Sequence, residues 1–222
     1  MIPLSNIKKD QNQQKQLYID LNCDIGQSFG VYKNELEYGL LPYVSSVNIS
    51  CGSHAGDPVT IMNAIKAAKE YNLAIGAHVG YPDIQGFGYR NMQLSDEELQ
   101  AVVVYQIGAL SALAKTYNLV IEHVRPHGAL YIDAAKDFNI SCSIAKAIAG
   151  FDPWLIYIGA AGENLVKAGE FANLRVAEEV HLDRKYNFDG SIDFEAPVII
   201  NPEFPLSQLE SLLKDSSLKN NK

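Results

Sequence analysis

Apolar and polar positions along the chain fall into short β-favouring runs separated by longer stretches of helical period. The runs L17-Y-I-D-L21, V44-S-S-V-N-I-S50, L73-A-I-G-A77, V120-I-E-H-V124, W154-L-I-Y-I158 and L174-R-V-A-E-E-V180 predict six strands, and the run P-V-I-I over 197–200 predicts a seventh. Between them the pattern predicts helices over 34–41, 59–71, 99–117 and 134–148, a short one reaching Gly169, and a last one over 205–213. Two of these have explicit start signals. Asp57 followed by Pro58 supplies a capping carboxylate and then a residue whose missing N–H costs nothing in the first turn. S95-D-E-E98 is a capping box. Ile61, Ala64, Ile65 and Ala68 recur at helical spacing and should face a core. The long segment 79–94 carries Gly80, Gly86 and Gly88 among Tyr81, Phe87 and Tyr89, which favours an ordered lid over a linker.

Strands alternating with helices imply right-handed βαβ units and a mainly parallel sheet, with apolar strands that suit burial on both faces. Periodicity does not say whether the sheet closes into a barrel, and an open doubly wound sheet fits nearly as well. At 222 residues one domain over 17–214 suffices, flanked by a disordered Asn-, Gln- and Lys-rich arm over 1–16 and a flexible polar tail over 215–222.

Composition narrows the function classes. A hydrophobic fraction of 47% with 20% charged residues fits a chain that buries a core, and a net charge of −8 counts against a nucleic-acid partner. The sequence reads as cytoplasmic, since no segment has the character of a signal peptide or a membrane span. Cys23, Cys51 and Cys142 are odd in number and lack CxxC spacing, so neither a disulfide framework nor a zinc knuckle is expected. A homo-oligomer is compatible with all of this.

The candidate chemistry collects at the strand ends, where parallel α/β folds place their sites. The first strand delivers Asp24, the second His54 and Asp57, the third His78, the fourth Arg125 and His127, and the sixth Asp183 and Arg184. Asp24, His54, His78 and His127 are the candidate shared site. A divalent metal on Asp24, His54 and His127 is one reading, and metal-free acid–base work at a cleaving amide is another. Arg90, Arg125 and Arg184 are candidates for holding a substrate carboxylate or phosphate. His123 lies inside its strand, where it either supports His127 or packs. The G159-A-A-G-E-N164 turn leads into a helix whose N-terminus could take an anion, although such turns usually only connect strand to helix.

The motifs D20-L-N-C-D-I-G26, C-G-S-H-A-G-D-P over 51–58, G76-A-H-V-G-Y-P-D83, G86-F-G-Y-R-N-M92, H123-V-R-P-H-G-A-L-Y131 and D183-R-K-Y186 together resemble the LamB/YcsF family of lactam-utilisation proteins, which includes the A subunit of 5-oxoprolinase. The resemblance covers residues 17–190 in the same motif order. It implies a seven-stranded (β/α) barrel of the glycoside hydrolase/deacetylase type and ATP-dependent opening of 5-oxoproline, a small lactam, to L-glutamate with two partner subunits. Asp24, His54, His78, Arg90, His127 and Asp183 match its polar signature positions. The chain departs from the family pattern at Gln27, where Glu is usual, and at Ser53, Tyr89, Arg125 and the His181-Leu182 pair; a C-V-H-G-D-like segment has no counterpart after Asn201. Two further readings follow: a metal-dependent amidase or deacetylase acting alone, and a catalytically impaired scaffold or regulatory subunit.

Overall fold

The computed structural model describes residues 19–34, 36–188, 191–199, 201, 203, 205–208 and 210. These form six strands, β1 (Asn22–Ile25), β2 (Ser46–Ser50), β3 (Ala74–Val79), β4 (His123–Pro126), β5 (Ile156–Ala160) and β6 (Arg175–Glu179). They also form five α-helices, α1 (Pro58–Glu70), α2 (Asp96–Lys115), α3 (Gly128–Lys136), α4 (Phe138–Phe151) and α5 (Asn164–Phe171). A 3₁₀ segment, Leu36–Tyr43, stands where the first helix is expected. The arm and the tail of the sequence reading lie outside the described residues. So does part of the last helix, of which the described residues 205–208 and 210 are helical.

All neighbouring strands are parallel and their spatial order is the chain order, β1 to β6. Right-handed crossovers that always step in one direction leave every helix on one side of the sheet. The sheet curls around its other face into an open half-barrel. In a flat sheet β1 and β4 would stand roughly 14 Å apart, yet Arg125 Nη1 on β4 reaches Asp24 Oδ1 on β1 at 3.5 Å.

The expected seven-stranded closed barrel is therefore wrong. Among the described residues β6 has no partner beyond β5, and β1 none beyond β2. Closing the barrel needs another crossover and strand after β6. Instead the chain turns back on itself through an antiparallel bridge between Tyr186 and Ile192, and 197–199 are not a strand. Ile199 N–H reaches Asp183 O at 2.8 Å, which ties this segment to the loop above β6 and not to a sheet edge.

Both faces of the central strands are buried, as expected, but only one of them is apolar. Val47, Ile49, Ile75, Ala77, Val79, Val124 and Tyr157 are buried in the apolar core on the helix side. Residues of the opposite parity build a polar concave face. Asn22 Nδ2 donates to Ser46 Oγ at 2.8 Å, Asn48 Nδ2 to Asp24 Oδ1 at 2.8 Å, and His123 Nε2 meets Asn48 Oδ1 at 2.8 Å. A buried polar face holds only if its donors and acceptors pair in this way.

The start signals act as read. Asp57 accepts from Val59 N and Thr60 N, and the Ser95 capping box is complete, each cap stabilising its helix by about 1 kcal/mol. The single helix predicted over 134–148 is two. Asp137 takes an extended backbone and caps α4 by accepting from Asn139 N at 2.8 Å. No helix among the described residues is long and apolar enough to cross a membrane.

Candidate active site

Three of the five histidines converge at the carboxyl ends of β2, β3 and β4. His54 follows β2, His78 lies within β3, and His127 caps the start of α3. All three are buried. Two backbone carbonyls fix how their protons are arranged. His78 Nδ1 sits 3.1 Å from Arg125 O, and His127 Nε2 sits 2.7 Å from Phe87 O, so both nitrogens carry hydrogen, a carbonyl being an acceptor only. The remaining nitrogens, His78 Nε2 and His127 Nδ1, then face each other at 3.0 Å. Two lone pairs cannot meet at that distance, so a proton lies between them. Asp24 Oδ2, at 3.3 Å from His78 Nε2, favours placing it on His78.

Asp24 lines the cavity together with His127 and is the more exposed of the two, its side chain 34% accessible. Burial opposes its ionisation, but His78, Arg125 and the Asn48 amide outweigh burial and hold its carboxyl well below the usual carboxylate range. Burial and the neighbouring His78 push His127 down to about 4, and burial, His127 and His78 push His54 well below the ordinary histidine value. Both are neutral near pH 7.

The ligand nitrogens of His54, His78 and His127 lie within 4.8 Å of one another, so this buried group could coordinate a metal ion. His78 stands edge-on to His127 at 75°, with His78 Nε2 3.0 Å from His127 Nδ1. His54 instead stacks on His127 at 3.9 Å and 14°. A ligand histidine holds its metal in the ring plane, so His54 must leave this stack to join. Its Nδ1 has no hydrogen-bond partner and Nε2 meets Ser50 Oγ at 3.1 Å, which gives it one buried nitrogen to offer. The sequence reading put Asp24 in the metal set; the structure assembles His78 there, with Asp24 beside it.

Arg125 is buried in β4, donating from Nε to both oxygens of Glu179 at 2.8 and 2.9 Å and from Nη1 to Asp24. Its guanidinium lies 5.0 Å over the Tyr131 ring. These carboxylates overcome burial and keep Arg125 firmly protonated, while Arg125 in return holds Glu179 below its ordinary value against burial. Arg125, Asp24, His127, Tyr131, His181, Asp183 and Arg184 are among the residues lining a cavity of about 220 Å³. Arg90 is not among them. Its side chain is 61% exposed and pairs with Asp83 inside the lid.

The lid is ordered by its own chemistry. Asp83 accepts from Gly86 N at 2.9 Å, Arg90 N at 3.1 Å and Arg90 Nε at 2.8 Å. Phe87 and Gly88 follow with positive φ, and Gly88 O accepts from Ala129 N at 2.9 Å. A Cβ at Gly88 would stand 2.7 Å from the His127 ring and 2.8 Å from His54 Cβ, so glycine is required there. Glu179, Asn48 and His181 were not singled out as site residues from the sequence. Strand parity would have found the first two: Asn48 and Glu179 occupy inward positions, in line with Asp24 and Arg125.

The A subunit of 5-oxoprolinase from Bacillus subtilis (strain 168) is 47% identical over 204 residues, covering 90% of this chain and 79% of that protein. Its namesake from Geobacillus thermodenitrificans (strain NG80-2) is 54% identical over 174 residues, 78% of this chain and 68% of its own. The crystal structure of a lactam utilization protein from Thermus thermophilus superposes with a TM-score of 0.88 at 38% identity, covering 92% of this chain and 84% of that one. The family model matches residues 19–220. With the family model matched over most of its length and the fold shared with a solved lactam utilization protein, the chain belongs to the LamB/YcsF family.

Proposed function

We propose that the chain is the A subunit of an ATP-dependent 5-oxoprolinase, a hydrolase that opens the lactam of 5-oxoproline to L-glutamate together with two partner subunits. The observation that carries the site assignment is Asp24 beside Arg125 at the cavity, with the proton-sharing His78–His127 pair behind Asp24. The relatives named as the A subunit of 5-oxoprolinase support the substrate and the need for partners. A cavity of about 220 Å³ is below the roughly 300–1,000 Å³ of drug-sized sites and suits a small ring.

Each group then has a task. Arg125 donates to the ring carbonyl oxygen, where negative charge grows as water attacks. Asp24 orients that water and takes its proton. The water hydroxyl bonds to the carbonyl carbon, the ring C–N bond breaks, and the nitrogen leaves with a proton returned through Asp24. The His78–His127 pair keeps one proton beside Asp24 throughout and sets its charge. ATP would supply the driving force for opening the lactam within the assembled complex. His181 and Asp183 border the same cavity, while His54 stacks on the face of His127 and stands edge-on to His78.

The test is glutamate formation from 5-oxoproline and ATP by the chain reconstituted with its partner subunits, beside a working relative. Asp24→Asn should lower turnover by about 10²–10⁴-fold. A wild-type complex that forms no glutamate while the relative does overturns the assignment.

The three-histidine group favours a second reading, a metal-assisted amidase. His78 and His127, joined by His54 after it unstacks, would hold a divalent ion whose role would be to lower the pKa of bound water. Stoichiometric metal in the purified chain, lost in His78→Ala, would support it; activity indifferent to chelator in a metal-free preparation would end it.

A further inference from the structure

Two guanidinium groups line the cavity, and their surroundings differ. Arg125 is flanked by two carboxylates, Glu179 at Nε and Asp24 at Nη1, so its positive charge is already countered within the protein. An incoming anion gains little there, because Asp24 and Glu179 already cancel the field that would attract it. Arg125 still has unused Nη hydrogens, which suit a neutral carbonyl oxygen. Arg184 stands apart from this cluster. Among the described residues it makes no ion pair, and its hydrogen bond is a long one of 3.5 Å from Nη1 to Ala196 O. Asp183 precedes it in the cavity lining and forms no ion pair with it.

Given the lactam-opening reading above, we propose that Arg184 is the specificity-determining residue, which binds the substrate's free carboxylate and so selects 5-oxoproline over uncharged lactams. The cavity divides the substrate between its two arginines. The ring carbonyl lies toward Arg125 and Asp24, and the carboxylate toward Arg184 and His181. The planar fork of Arg184 matches a carboxylate in two parallel hydrogen bonds, and among the described residues no carboxylate pairs with it. The Tyr186–Ile192 bridge lies just beyond Arg184 in the chain, and the Ile199 N–H to Asp183 O bond anchors its neighbour. The anion clamp thus sits on the segment that replaces a seventh strand.

The experiment uses the chain assembled with its partner subunits and reads binding by calorimetry separately from glutamate release. Arg184→Gln should weaken 5-oxoproline binding and raise KM about 10- to 100-fold, the range a charge-assisted hydrogen bond supplies. Its kcat should stay within about threefold, since the carboxylate is remote from the reacting bond. Arg184→Lys should recover part of the loss. Binding of 2-pyrrolidinone, the same ring without the carboxylate, should be equally weak in wild type and both variants. Wild-type binding and KM in Arg184→Gln, or a parallel loss of 2-pyrrolidinone affinity, overturns the clamp. A wild-type complex that binds 5-oxoproline without forming glutamate sinks the proposed activity while the calorimetric comparison still decides the clamp; one that binds no 5-oxoproline sinks both.

Discussion

At the scale of single residues, His127 and His123 look alike in sequence and do different work. His127 is bonded at both nitrogens, to Phe87 O and to His78 Nε2, inside the proton-sharing pair. His123 bonds Asn48, which in turn bonds Asp24, so it acts on the site only through the concave network. His127→Ala should therefore lower kcat by about 10²–10⁴-fold with the far-ultraviolet circular dichroism unchanged. Stopped-time glutamate assays on the complex check this, and a loss below tenfold would remove His127 from proton handling. Gly76 illustrates a constraint of another kind. The His123 ring lies over it, and a Cβ there would stand 2.0 Å from the ring. Gly76→Ala should destabilise the fold by about 2–3 kcal/mol through overpacking. Thermal unfolding of Gly76→Ala with and without His123→Ala separates this from strand propensity: the cost should shrink when the ring is gone.

At the scale of elements, the lid over 79–94 is the piece whose order depends most on one side chain. Asp83 gathers two backbone N–H groups and the Arg90 guanidinium, and the Arg90 hydrogen bonds, foremost, lower its pKa to about 2. Asp83→Asn removes the charge and should loosen the turn that presents Phe87 O to His127. Limited proteolysis within the lid should rise several-fold, and kcat should fall with it; an unchanged cleavage pattern would mean that the aromatic contacts alone hold the lid. The capping signals of α1 and α2 were legible because they are local, a carboxylate or hydroxyl two or three residues from the N–H it satisfies. The break at Asp137 was legible in principle by the same rule, yet the apolar period runs through it and masks the cap. The polar concave face was also written in the strands. S46-V-N-I-S50 alternates strictly, and so does H-V-R-P over 123–126, which argues for one apolar face and not two. Partners on strands that are not neighbours, such as Asn48 with His123 or Arg125 with Asp24, were beyond reach, because register and curl decide them.

For the whole molecule, an open half-barrel with a polar concave face predicts how stability depends on pH. A closed barrel of this type fills its interior with apolar layers; here buried histidines, Asn48 and Arg125 take that place. His123 is a useful reporter, since it is not one of the three clustered histidines and burial, the largest influence, lowers its pKa to about 4. An unfolded histidine titrates near 6.5. Between those values the unfolded chain binds the extra proton, so stability is full above about 6.5 and falls as the pH drops toward 4. The shift corresponds to at most about 3 kcal/mol for this one residue. Asp24 and Glu179 are also held below their ordinary values, and their contribution is lost at lower pH still, as each is protonated in turn. Chemical denaturation from pH 8 to pH 3 should accordingly show a first decline through the histidine range and a second below about 4. His123→Gln, which cannot titrate, should start less stable at pH 7.5 and lose distinctly less on the way to pH 5. A variant whose curve runs parallel to wild type would show that the neutral imidazole beneath the half-barrel is not what acid disrupts first.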